Sequence, residues 1–155
     1  MRRTDPLILG AGPAGCAAAI ALARAGASPL LLDRDRTPGD ALCGGFLSWR
    51  TLAQLESLGL DHDRLGGQTV DRLRLFAHGS MVQAPLPARA MGLSRRALDT
   101  AMRDHAIALG TQFATDTIRT LEGTTAIGQA HEWRCETLFL ATGKHDVRGQ
   151  SRPPC

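Results

Sequence analysis

A chain of 155 residues, 43% hydrophobic and 21% charged, has the length and composition of one globular domain, expected to span residues 1–155. Its net charge of +3 rests on scattered arginines, with Lys144 the sole lysine, and no basic block or aromatic-interleaved patch suggests a nucleic-acid partner. The cysteines Cys16, Cys43, Cys135 and Cys155 form no C-x-x-C pair and no zinc spacing, so no metal site is expected and the thiols read as reduced in a cytoplasmic protein.

Met1-Arg2-Arg3 before an apolar stretch mimics a signal peptide, but Asp5-Pro6 interrupts it and the apolar run contains a glycine turn. No stretch reaches the roughly 18 apolar residues that cross a bilayer, which leaves peripheral membrane contact open.

Leu7-Ile8-Leu9 has strand character and leads into Gly10-Ala11-Gly12-Pro13-Ala14-Gly15, a G-x-G-x-x-G turn. A helical run follows to about Ala25, stopped by Gly26, and Leu30-Leu31-Leu32 forms a second strand ending in Asp33. Each part has a physical role. Gly10 permits the tight turn, Gly12 lets a pyrophosphate approach the backbone, and Gly15 lets helix and strand pack closely. Pro13 suits the first helical turn, and the free N–H groups there face the phosphates. Asp33 lies 18 residues after Gly15, placed to accept hydrogen bonds from both ribose hydroxyls and to repel a 2′-phosphate. The pattern therefore predicts a site for FAD or NAD rather than NADP.

After a polar stretch with a Pro38-Gly39 turn, Cys43-Gly44-Gly45-Phe46-Leu47-Ser48 marks either a simple loop or a place where backbone approaches a ligand. Ser48 caps a helix over 49–58. A β-hairpin insertion is expected at about 66–93, with Leu73 and Leu75 on one face, a His78-Gly79-Ser80 turn, and a return strand ended or confined to an edge by Pro85 and Pro87. Ser94 caps a helix over 95–109 with a buried stripe of Ala97, Leu98, Ala101, Met102, His105 and Ala108. A β-meander is expected over about 111–135, then a buried strand entering Ala141-Thr142-Gly143.

These parts, in this order, resemble the N-terminal portion of FAD-dependent oxidoreductases with the aromatic-hydroxylase-like flavoprotein fold, most similar to the geranylgeranyl-reductase-like group that borders on flavin monooxygenases and halogenases. The match rests on Gly10 to Gly15 with Asp33-Arg34, Cys43 to Ser48, Arg95-x-x-Leu98-Asp99, and Leu138 to Gly143 with Asp146-Val147-Arg148. The resemblance implies an α/β, Rossmann-like FAD/NAD(P)-binding domain with a β-meander, truncated at the C-terminus. It implies that Gly10, Gly12, Pro13, Ala14 and Gly15 hold the FAD pyrophosphate, that Asp33 holds the ribose, and that Arg34 lies by the adenine. It also implies that Cys43 and Gly44 lie near the flavin, that Arg95 contacts the cofactor, and that Ala141 and Gly143 pass the adenosine-side phosphates. The family's usual Ala-Asp-Gly is Ala-Thr-Gly here, so one carboxylate is missing.

The implied function is an FAD-dependent oxidoreductase, of reductase or monooxygenase type, with NAD(P)H as donor and a small apolar substrate. No residue set offers a catalytic mechanism independent of the flavin, and catalytic residues stay unassigned. Two alternatives remain: a non-catalytic nucleotide-binding fragment, and the NAD-binding module of a dehydrogenase. Cys43 to Ser48 and the meander argue against the latter, because a simple dinucleotide fold would continue as alternating strands and helices.

Overall fold

The computed structural model describes residues 1–41 and 45–150. In chain order the strands are β1 (Arg2–Arg3), β2 (Leu7–Leu9), β3 (Leu30–Asp33), β4 (Phe46–Leu47), β5 (Gln68–Ala77), β6 (Ser80–Gly92), β7 (Gln112–Thr115), β8 (Ile118–Glu122), β9 (Thr125–Gly128), β10 (Glu132–Arg134) and β11 (Leu138–Leu140). The helices are α1 (Pro13–Arg24), α2 (Trp49–Ser57) and α3 (Arg95–Ala108). The chain divides into two compact units, one of Met1–Pro38 with Asp99 onward, the other of Gly39–Leu98.

The first unit is built on a parallel sheet in the order β11-β2-β3-β7. Both central strands are continuous apolar runs, as a parallel sheet covered on its faces requires, and Leu7, Ile8, Leu9, Leu31 and Leu32 are at most 2% exposed. The helix between them buries Cys16, Ala19 and Ile20, small or branched residues at helical spacing that let it lie close to β2 and β3. A hydrogen bond from the Ala27 N–H to the Leu22 carbonyl closes its C-terminus.

The meander differs from the sequence expectation at its start. Gln112–Thr115 does not belong to it. That segment pairs in parallel with β3, from Leu30↔Gln112 to Asp33↔Thr115, so β3 gains a second neighbour. The meander proper is β8-β9-β10, and the N-terminal pair Arg2–Arg3 joins it in parallel with β10. Asp116, at the junction, explains the break. Its buried carboxylate accepts from the backbone N–H groups of Gln129 (2.9 Å), Ala130 (3.1 Å) and His131 (3.1 Å), and from Trp133 Nε1 (2.9 Å). A Cβ on Gly128 would collide with that carboxylate.

The second unit has an antiparallel sheet in the order β4-β6-β5, with Leu47, Leu52, Leu55, Leu60 and Met91 in its core. Ser48 Oγ accepts the Thr51 N–H and starts α2. The hairpin turns at His78 (φ +49°) and Gly79 (φ +78°), the paired positive φ values that a right-twisted two-residue turn needs. β6 runs on to Gly92, well past the expected stop. Pro85 pairs with Arg72 beside a bulge, where β4 does not reach, so its missing N–H breaks no ladder bond on that side. Leu73 and Leu75 do not form a buried face: they are 46% and 60% exposed, since no element described in this unit packs on that half of the hairpin.

The buried stripe of α3 is also turned from the expected one. Leu98, Asp99, Met102, Arg103 and Ala106 are buried, whereas Ala108 is exposed and Ala97, Ala101 and His105 are half-buried. Polarity hid this stripe, because Asp99 and Arg103 read as solvent residues. At the end of the chain β11 is half-buried rather than buried, because it is an edge of the parallel sheet among the described residues.

Two predictions follow from these environments. Burial would raise the Asp116 pKa, but the Trp133 indole and three backbone donors outweigh it and hold the acid below the usual carboxylate value. A depressed folded pKa contributes stability above the unfolded value, near 3.9, and loses it as pH falls through the folded one. Asp116→Asn should therefore cost about 2–4 kcal/mol at neutral pH, because an amide cannot accept from all four donors. The gap between wild type and variant, measured by urea unfolding, should shrink below about pH 4. An equal gap at pH 7 and pH 3 would contradict this role.

Burial pushes the Cys16 thiol up to about 12, with Arg103 opposing the shift and Asp99 and Asp33 adding to it, while the thiol donates to the Ala11 carbonyl at 3.3 Å. At pH 8 only about one thiol in 10⁴ is then ionised. Peptide mass spectrometry should find Cys16 unalkylated by iodoacetamide in the folded protein and alkylated in urea; rapid modification of the native chain would overturn this picture.

Candidate functional site

The carboxyl ends of β2 and β3 carry the glycine turn and Asp33. Gly10 has φ +102°, a conformation that favours glycine, and its N–H donates to the Leu32 carbonyl at 2.7 Å. A Cβ there would strike the Ala141 carbonyl. A Cβ on Gly15 would strike the Gly10 carbonyl and come within 3.2 Å of the Ala141 Cβ. Gly10, Gly15 and Ala141 thus meet backbone to backbone, and the Ala141 N–H donates to the Leu9 carbonyl at 2.8 Å.

Gly12 is different. It is the N-cap of α1, with φ −76° and ψ −175°, extended backbone that any residue adopts. A Cβ on it would meet no atom within 4 Å. Neither conformation nor internal packing requires glycine here. Pro13 follows at the first helical position, no side chain caps the helix, and no acid lies in its first turn. Open space, uncapped N–H donors and the positive end of the helix together suit an anionic group from outside the chain. The residues therefore fit a dinucleotide pyrophosphate.

Asp33 ends β3, half-buried, and its carboxylate organises the turn. Oδ2 accepts from the Ala11 N–H at 2.5 Å and Oδ1 from the Asp35 N–H at 2.9 Å. Each oxygen keeps a further lone pair, so bonding to two hydroxyls stays available. Arg34 projects into solvent and pairs with Asp35 at 3.2 Å, both well exposed.

At the end of β11, Ala141 is in the cluster just described, while Gly143 (φ +65°) is exposed with nothing near its Cβ position. Thr142, in the place of the family's acid, donates its hydroxyl to the His145 carbonyl at 2.6 Å and so shapes the turn itself. Ala14 is exposed at the start of α1. Arg95 begins α3 and belongs to the second unit, in which the neighbouring Arg96 N–H donates to Asp40 Oδ1 at 3.3 Å. Cys43 and Gly44 lie outside the described residues. Among the described residues no group of three or more metal-ligating side chains occurs.

The sequence reading missed Arg103. Its Nη1 donates to the carbonyls of Arg36 (2.9 Å) and Asp35 (3.4 Å), and its guanidinium lies 4.4 Å over the Phe113 ring. The segment after Asp33 is thus tied to α3. The one signal available beforehand was an arginine at helical spacing with Asp99 and Met102, a stripe that polarity argued against.

Menaquinone reductase of Mycolicibacterium smegmatis is 32% identical over 148 residues, covering 91% of this chain and 34% of the reductase. Squalene epoxidase of Schizosaccharomyces pombe is 33% identical over 90 residues, 57% of this chain and 20% of the epoxidase. The chain therefore spans about a third or less of these curated relatives. The flavin-dependent brominase Bmp2 superposes with a TM-score of 0.77 at 23% identity, over 92% of this chain and 38% of the brominase, which supports the fold alone. No described helix is long and apolar enough to cross a membrane. Residues 3–136 match the family described as FAD binding domain. The chain belongs to that family, its fold is shared with the flavin-dependent brominase, and its dinucleotide is FAD.

Proposed function

We propose that this chain is the FAD-binding portion of a flavin-dependent oxidoreductase, nearest to the reductases of the geranylgeranyl-reductase-like group, with NAD(P)H as donor and an apolar lipid as substrate. The observation that carries the proposal is Gly12: the structure needs no glycine there, yet the space beside it is open and faces an uncapped helix end.

In this reading Gly10, Gly12, Pro13, Ala14 and Gly15 form the pyrophosphate seat, in which Gly10 and Gly15 set the backbone and Gly12 admits the phosphates. Asp33 holds the ribose hydroxyls with the lone pairs its backbone bonds leave free, and its charge keeps a 2′-phosphate out. Arg34 lies at the adenine side, and Ala141 and Gly143 at the adenosine-side phosphates. Cys43, Gly44 and Arg95 are assigned to the flavin by the family resemblance alone. Bound flavin supplies two-electron transfer between a reduced nicotinamide and a second substrate. The substrate class rests on the relatives, whose names specify menaquinone and squalene, two apolar lipids. The match to menaquinone reductase covers far more of this chain than the match to squalene epoxidase, which favours reduction over oxygen insertion.

The purified chain, incubated with FAD and desalted, should retain flavin absorbance. Gly12→Glu should abolish retention while changing stability by no more than about 0.5 kcal/mol, because the new side chain points into open space. Asp33→Ala should weaken FAD about 10- to 100-fold, the loss of charge-assisted bonds. Retention unchanged in both variants would sink the assigned seat. For the substrate class, FAD-loaded protein mixed anaerobically with NADH or NADPH should bleach and then transfer two hydrogens to menaquinone, read by mass. Flavin that is retained but never bleaches would show that this portion binds FAD without turnover.

A further inference from the structure

We infer that Arg103 is a positioning residue for the adenosine end of the dinucleotide and helps set the preference for an unphosphorylated ribose. The inference rests on the FAD seat proposed above. Arg103 is 6% exposed, and a buried guanidinium needs compensation for its charge. It finds this in the carbonyls of Asp35 and Arg36 and in the face of Phe113 on β7. Its Nε, also buried, has no partner among the described residues. A side chain selected only for packing between α3 and the sheet would not need a buried guanidinium.

The two carbonyls it binds belong to the residues just past Asp33. That segment is exposed and forms no regular element, so its path depends on a few anchors. One is the Asp35 N–H on Asp33 Oδ1. Arg103 is the second, and it acts on the next two peptide groups. Together they fix how the backbone leaves β3 and so which way the Asp33 carboxylate faces. With the anchor gone, the Asp35 N–H can leave Oδ1, and the carboxylate, still held at Oδ2 by the Ala11 N–H, can turn about that one bond and misplace Oδ1 for the ribose. A 2′-phosphate would then meet less repulsion. Arg103 touches neither ribose nor phosphate in this account; it acts through Asp35 and Asp33.

The test uses the full chain, with ADP-ribose and 2′-phospho-ADP-ribose as calorimetric probes and thermal unfolding followed by circular dichroism. Arg103→Met keeps the apolar stem over Phe113 and removes every donor. It should weaken ADP-ribose about tenfold and narrow the preference over the 2′-phosphorylated probe. Arg103→Lys keeps a charge and donors but loses the planar guanidinium over Phe113, and should fall between wild type and Arg103→Met. If Arg103→Met does not fold, Arg103→Lys alone decides, by a changed or unchanged probe ratio. Wild-type affinity and ratio in a folded variant, even with a lower Tm, would overturn the positioning role. A wild-type chain that binds neither probe would overturn the FAD seat itself, and this inference with it.

Discussion

The structure depends on one close approach, where the Gly10 backbone is pressed between Ala141 and the start of α1 at Gly15. Any side chain at Gly10 or Gly15 would displace main chain, which cannot yield as a flexible side chain can. This contact joins two distant parts of the chain, since β2 lies near its beginning and Ala141 directly follows the last described strand. It also sets the height of α1 above the sheet, and therefore where the uncapped N–H groups point. The glycines of the motif thus divide into two kinds. Gly10 and Gly15 are required by the protein's own packing, whereas Gly12 is required by nothing inside the protein. That difference separates a dinucleotide site from a βαβ unit whose glycines serve packing alone.

A second regularity is the use of aspartates as acceptors for backbone N–H groups. Asp33 ties Ala11 and Asp35, Asp116 ties Gln129 to His131, and Asp5 ties Glu136 and Thr137. In each case a carboxylate gathers donors from segments that lack a ladder of their own, and its charge makes those bonds stronger than neutral ones. Asp33 belongs to this set and to the proposed nucleotide seat at once. A carboxylate whose orientation is fixed by backbone donors loses little freedom when a ribose arrives, so the same bonds that shape the turn also lower the cost of binding.

The sequence made residues 7–33 legible because every level agreed there: apolar runs of strand length, turn glycines at fixed spacing, an alanine-rich helix and a terminal acid. Helix starts were equally readable, since Ser48 and Ser94 accept the N–H groups of Thr51 and Ala97. What could not be read depended on distant partners. The pairing of Gln112–Thr115 with β3 follows from an open strand edge, not from local pattern. Period-two alternation made Leu73 and Leu75 look like a buried face, but alternation reports only that a strand has two faces, not that anything covers one. Arg103 and Asp116 are buried against partners distant in sequence, and composition alone assigns such residues to solvent.

The division into two units parallels the proposed assignment of cofactor contacts. Every residue assigned to the adenosine and pyrophosphate lies in the unit of Met1–Pro38 with Asp99 onward, and so does the Arg103 anchor. The residues assigned to the flavin side, Cys43, Gly44 and Arg95, fall within Gly39–Leu98. Affinity for a dinucleotide comes largely from charge-assisted bonds to phosphate and ribose, whereas flavin chemistry depends on how the ring is enclosed and kept from water. Those demands can be met by different stretches of chain. The phosphate and ribose seat needs one sheet edge, one helix end and one acid, all held by the Gly10, Gly15 and Ala141 contact. Enclosure of the ring draws on far more polypeptide, and this chain spans only about a third of its menaquinone reductase relative.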